Sequence, residues 1–251
     1  MDYDLIVLGA TFTAAGLLQT CGSCLVLERQ PQAGYEFFSA LRPGTGYHKP
    51  LQTAEARDLA EKFRAKGAFD RGRECLYDCA SSFYSCLEGK NVLLNMEILS
   101  VEPADGGYEV TAHGVSGFRS WTAKRVIDTR VQRDTVVSKT LNMVVNSETG
   151  MPFEGMPGVE TLVWGYDGDV LVKCPVPVNT GYAEARAAAA KIIDRLPWDY
   201  RLVRLSDIFD CRIPGDFPRE KDGVIYLPSV SFENPLLAFD AGVLYGKGGM
   251  L

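Results

Sequence analysis

The chain has 251 residues, 46% of them hydrophobic and 23% charged, and carries a formal charge of −6. That length allows a well-buried core in one large domain or two interleaved ones, and the acidic balance argues against a nucleic-acid or anionic-membrane surface as main partner. No run approaches the roughly 18 apolar residues of a bilayer span. Met1-Asp2-Tyr3-Asp4 puts acid where a signal peptide needs a basic stretch, so a cytoplasmic setting is expected.

Asp4-Leu5-Ile6-Val7-Leu8 is a short apolar run of the kind found in a parallel strand covered on both faces. It ends at Gly9, and residues 12–20 read as a helix rich in Ala and Leu, stopped near Gly22. Cys24-Leu25-Val26-Leu27 is the next strand and ends in Glu28. Residues 29–49 read as a loop. Thr53 is placed to cap a helix over 54–66, a second helical stretch covers about 73–87, and 91–99 returns to strand. Strands at 108–112, 118–123 and 125–128, separated by Asp-Gly and Gly-rich turns, predict an antiparallel meander. Residues 135–178 read as further strands, including 161–164 and 170–174, and 181–196 as a helix stopped by Pro197. A strand at 223–227 leads to a final helix over 236–245, with Pro235 in its first turn. Residues 246–251 read as a frayed tail.

Seven cysteines are present, with Cys21 and Cys24 in a CxxC spacing and Cys75, Cys79 and Cys86 in one helical stretch. A redox dithiol or a zinc site would need more than this. The only histidines, His48 and His113, do not complete a ligand set, so no metal is expected, and Cys24 opens a buried strand. Free thiols are expected.

The first strand, turn, helix and second strand form a βαβ unit spanning residues 3–28. A phosphate-binding fingerprint at this turn is G-x-G-x-x-G, with an acid about 20 residues on. The six positions here are Gly9-Ala10-Thr11-Phe12-Thr13-Ala14, and Glu28 stands at the acid's distance. Gly9 permits the tight turn, and Ala14 permits close helix–strand packing. Thr11 crowds the position where backbone approaches a pyrophosphate, although its hydroxyl and the helix N-terminal amides are able to contact phosphate. Glu28 is placed to accept both ribose hydroxyls of an adenosine and to repel a 2′-phosphate. The alternative is a solvated strand end.

The stretches YDLIVLGATFTAAGLL and CLVLERQPQAG resemble the start of FAD-dependent oxidoreductases of the glutathione-reductase-like superfamily. Residues 95–102 resemble the strand whose backbone, near Ile98, contacts adenine. Residues 124–129 resemble the segment that ends in a VIDATG-like motif, and 223–242 resemble the last strand and helix, whose N-terminus faces the flavin. The resemblance implies an α/β fold: a three-layer Rossmann-like FAD-binding domain from residues 1–134 and 205–251. A small antiparallel β-sheet substrate domain, 135–204, is inserted in it. It implies FAD as cofactor, held by Gly9, Thr11, Phe12, Thr13, Ala14, Glu28, Arg29, Ile98, Ser229, Asn234, Pro235 and Leu236. Two departures stand out. Thr129-Arg130 replaces the Ala-Thr-Gly of the family, and Leu227-Pro228-Ser229 replaces a Gly-Asp whose carboxylate binds ribitol or pyrophosphate.

The activity implied is oxidation or reduction of a small organic substrate by hydride transfer to or from flavin, with no catalytic residue singled out. His48, Arg42 and Lys49 lie in a loop able to reach a substrate or a phosphate, and ordinary solvation is the simpler reading of each. Tyr166-Asp167-Gly168-Asp169 reads as a hairpin turn rather than a calcium site. Two alternatives remain: an NAD-dependent Rossmann enzyme, and a non-catalytic subunit of a hetero-oligomer with a degenerate nucleotide site. A homo-oligomer is also compatible with the sequence.

Overall fold

The computed structural model describes residues 1–68, 76–154 and 156–248. Its centre is the strand β1 (Tyr3–Leu8), paired in parallel with β2 (Cys24–Leu27) and, on the other side, with β6 (Gly117–Asp128). β3 (Asn91–Leu93) adds to β2, and β13 (Val224–Tyr226) to β6, with β12 (Arg219–Lys221) at the edge. Residues Leu5 and Val7 enter one core and Ile6 and Leu8 another. β1 is thus buried on both faces, as its unbroken apolar run requires.

One face is covered by the helices α1 (Phe12–Leu18), α3 (Ala54–Ala65) and α6 (Pro235–Gly246). The other is covered by β4 (Glu97–Ala104), β5 (Gly107–Gly114) and the first half of β6. β6 joins the layers. Phe118–Ala123 pairs antiparallel with β5, while Ala123–Asp128 runs parallel to β1. The two strands expected at 118–123 and 125–128 are therefore one. The single strand expected at 91–99 is instead two, because Asn95 takes a left-handed conformation at φ 57°.

α1 and α6 touch backbone to backbone. A methyl group on Gly16 would stand 2.1 Å from the Phe239 carbonyl oxygen, and one on Gly242 would stand 2.1 Å from that of Thr13. Asp240, buried in α6, accepts the amides of Gln52 (2.7 Å) and Thr53 (2.9 Å) and the Thr53 hydroxyl (2.6 Å). Thr53 caps α3 as expected, accepting the Ala56 amide.

The stretch expected to be helical at 73–87 contains a 3₁₀ turn at Tyr77–Cys79 and the helix α4 (Ala80–Ser85). Its residues 73–75, with Cys75, lie outside the described residues, as do 249–251 of the expected tail.

A second, antiparallel sheet has the order β10 (Arg201–Leu205), β7 (Ser138–Asn146), β9 (Asp169–Val176), β8 (Glu160–Val163). The hairpin β8–β9 turns at Tyr166-Asp167-Gly168, with Gly168 at φ 90°. β11 (Asp210–Arg212) pairs with β7, so this sheet extends past residue 204. Its core packs on α5 (Tyr182–Ile193) through Ala185 and Ala189. Asn142 ties it to the connection that follows β2, donating to the carbonyls of Ala40 (3.1 Å) and Leu41 (3.2 Å). Among the described residues no helix is long and apolar enough to cross a membrane.

Candidate nucleotide-binding edge

The carboxyl ends of β1, β2 and β6 converge at one edge of the parallel sheet, the usual place for a ligand crevice in open α/β folds. Gly9 leaves β1 at φ 99°, a conformation that a side chain resists, and Thr11 then caps α1 by accepting the Ala14 amide at 3.2 Å. The Thr11 hydroxyl donates to that of Thr129 at 2.8 Å, and Thr129 in turn donates to the carbonyls of Leu8 and Gly9. Thr11 is thus knitted inward to the end of β6. Ala14 is buried, as close helix–strand packing needs.

Glu28 is not a solvated strand end: it is 1% exposed. Its carboxylate reaches back to the turn, accepting the Ala10 amide at 2.9 Å and the Gln30 amide at 2.6 Å. Burial raises its pKa, opposed by those two bonds. Each carboxylate oxygen accepts one of these bonds and retains a further lone pair. Arg29 is exposed and pairs with Glu97 at 3.7 Å. Ile98 lies in the β4–β5 ladder opposite Ala112 and packs on the meander core, two residues beyond Met96, whose amide donates to the Glu28 carbonyl.

The loop expected at 29–49 holds a short helix, α2 (Tyr35–Phe38), and with it a residue that the sequence reading missed. Gly34, at φ 70°, donates its amide to the Ala10 carbonyl at 2.7 Å. Phe37 and Phe38 pack around Phe12 with ring centroids 5.5 and 5.4 Å away, and Phe83 lies 4.0 Å from it. These contacts place Glu36 at the start of α1. Its Oε1 accepts the Phe12 amide at 2.8 Å and the Ser229 hydroxyl at 2.7 Å. Ser229 also accepts the Thr13 amide at 3.4 Å. Glu36 Oε2 and Thr13 Oγ1 are buried without a hydrogen-bond partner. Burial pushes the Glu36 carboxyl up to about 7, against the bonds from Phe12 and Ser229.

Asp128, at the end of β6, is bound by Arg130 through Nε (2.9 Å) and Nη2 (2.8 Å). The Arg130 stem lies over the turn, since a methyl group on Gly9 would stand 2.7 Å from its Cγ. Tyr35 is buried beside Glu28, Glu36, Arg130 and Asp128, and burial drives its pKa well above the ordinary range.

The remaining expected residues lie at the start of α6. Asn234 caps it, accepting the Leu237 amide at 2.9 Å and donating to the Thr45 carbonyl, with Pro235 and Leu236 in the first turn. Arg42, considered for an anion, is spent on structure. It donates to the carbonyls of Val230 and Phe232 at 3.0 Å each and lies 3.6 Å from Asp210. Lys49 pairs with Glu233 at 2.7 Å, and His48 is exposed. The six described cysteines are free thiols, with Cys24 buried as its strand position implied.

The turn at Gly9 and the Glu28 carboxylate are of the kind that a dinucleotide such as FAD would use. Its phosphates would need the Phe12 amide, which Glu36 now holds. Two orphaned polar atoms beside that amide mark the place as one where further hydrogen bonds are wanted.

No protein-family model and no curated protein matches the sequence. Solved structures do match the fold. The p-nitrophenol 4-monooxygenase of Pseudomonas putida DLL-E4 is 14% identical with a TM-score of 0.61, over 98% of this chain and 77% of that one. The anhydrotetracycline hydroxylase of Streptomyces rimosus is 15% identical with a TM-score of 0.65, over 98% and 61%. Aklavinone-11 hydroxylase, solved with FAD and aklavinone, is 13% identical with a TM-score of 0.51, again over 98% and 61%. The chain therefore has the Rossmann-like fold of these hydroxylases, in a length that covers 61% of the latter two.

Proposed function

We propose that this chain is an FAD-dependent oxidoreductase acting on a small organic substrate. The observation that carries the reading is the Glu28 carboxylate, held at the end of β2 by the Ala10 amide of the Gly9 turn. Such a carboxylate, fixed beside a glycine turn and a helix start, suits a ribose diol next to a phosphate. FAD would supply two-electron chemistry as hydride transfer. The chain's own residues would bind and orient. Glu28 would accept the ribose hydroxyls, the Phe12 and Thr13 amides would donate to phosphate, and the first turn of α6 would turn its positive end toward the flavin. The hydroxylases of like fold act on p-nitrophenol, anhydrotetracycline and aklavinone by name, which supports an aromatic substrate. The domains of this reading are 1–134 with 213–251 for FAD and 135–212 for substrate, the boundary expected at 204 moved past β11, in a cytoplasmic setting. The β4–β6 meander and the return of α6 argue against an NAD-only Rossmann enzyme.

The second reading is a non-catalytic subunit in which the nucleotide edge is structural. It is favoured by Glu36 and Ser229, which hold the very amides a phosphate would use. Equilibrium uptake of FAD separates the two. Saturable uptake of one FAD per chain supports the enzyme, and no saturable uptake by either the wild type or a Glu36→Ala variant leaves only the second reading.

A further inference from the structure

Glu36 stands apart from the rest of the edge. Glu28 and Asp128 are each bonded through both oxygens, to two amides in one case and to Arg130 and Gln132 in the other. Glu36 is 2% exposed, yet only one of its oxygens has partners. A buried carboxylate in that state is costly to keep unless it does something that a neutral residue would not. Its one bonded oxygen takes the Phe12 amide together with a hydroxyl that also touches the Thr13 amide. One carboxyl oxygen thus holds the Phe12 amide that a phosphate oxygen would need. Carboxylate and phosphate compete for such donors by the same chemistry, charge-assisted hydrogen bonding at backbone N–H groups.

We infer that Glu36 is a built-in competitor for the phosphate of the dinucleotide, and that FAD binds only by displacing its side chain from the Phe12 amide. This rests on the FAD reading above. Glu28 is the charged neighbour that acts on Glu36, as like charge. A diphosphate arriving beside Glu36 would meet like charge and no free donor at Phe12, so the two cannot share the seat. Glu36 lies on a four-residue helix entered through Gly34 at a left-handed φ of 70°. Ser229, released from Glu36 and from its long 3.4 Å bond to Thr13, would turn its hydroxyl proton to the phosphate. That role suits a serine where the resembling family carries an acid.

The test is an equilibrium titration of FAD, read by quenching of its fluorescence, on the full chain as wild type, Glu36→Ala and Glu36→Gln. Thermal unfolding of each variant checks that it folds. Glu36→Ala removes the competitor and is expected to bind FAD about tenfold or more tightly than the wild type, given the worth of a charge-assisted hydrogen bond. Glu36→Gln keeps the shape and the acceptor oxygen but removes the charge, and is expected to fall between the two. It also carries the test if the alanine variant does not fold. Saturable binding of equal or lower affinity in the variants overturns the inference and leaves the FAD reading standing. An absence of binding in all three proteins overturns the FAD reading and the competitor with it.

Discussion

Glu36 accepts the Phe12 amide at 2.8 Å, across 24 residues of sequence, and so closes the start of α1 with a carboxylate from the following loop. The bond couples the loop to the nucleotide edge. It also makes the protonation of one buried group a contributor to stability.

The Glu36 carboxyl titrates near 4.5 when unfolded and is pushed up to about 7 by burial when folded. The folded state therefore holds the proton more tightly. Its stability falls as pH rises from about 4.5 to about 7 and is level above that, by on the order of 3 kcal/mol at most. Urea unfolding at pH 5 and pH 8 should show that loss in the wild type and not in Glu36→Gln. Parallel pH profiles would refute the assignment.

The contact of α1 with α6 has no room for a side chain at Gly16 or Gly242. Gly16→Ala must push the helices apart against the Phe239 carbonyl, at a cost of roughly 1–3 kcal/mol. A thermal melt should show Tm lowered by several degrees. An unchanged Tm would mean that the helices are not in backbone contact.

Asp240 holds the entry to α3 through two amides and a hydroxyl. Asp240→Ala leaves buried donors unpaired, which costs about 2–4 kcal/mol. Hydrogen exchange at the Gln52 and Thr53 amides is the local readout: both should lose protection before the β1 amides do. Retained protection there would count against the tie.

Much of this was legible in the sequence. β1, α1, β2 and α6 follow from unbroken apolar runs and from Gly9, Pro235 and Asn234, which act locally. Glu28 was legible from its distance to Gly9, because the βαβ unit fixes that spacing. Glu36 was not. It sits in a Gly-containing stretch with no periodicity, and its role depends on Phe37 and Phe38 packing on Phe12 from the other side of the turn. Asp240 carried a signal, an acid inside an apolar helix, whose partner at Thr53 only the fold brings near. Arg42 read as a solvated loop residue because the carbonyls that hold it are 188 and 190 residues away. The break at Asn95 turns on a single left-handed residue, and the extent of the second sheet on a three-residue strand, both too short to show a period.

Glu28→Ala removes the proposed ribose acceptor and leaves the Ala10 and Gln30 amides without it. FAD affinity in the Glu36→Ala background should fall about tenfold or more, as for a lost hydrogen bond to a charged group. The same titration reads it, and unchanged affinity would take the ribose role away from Glu28.

The most direct measurement is the FAD titration of Glu36→Ala beside the wild type. The account predicts saturable binding of one FAD per chain by the variant, distinctly tighter than by the wild type. Binding by neither protein, or binding that the substitution leaves unchanged, would contradict it.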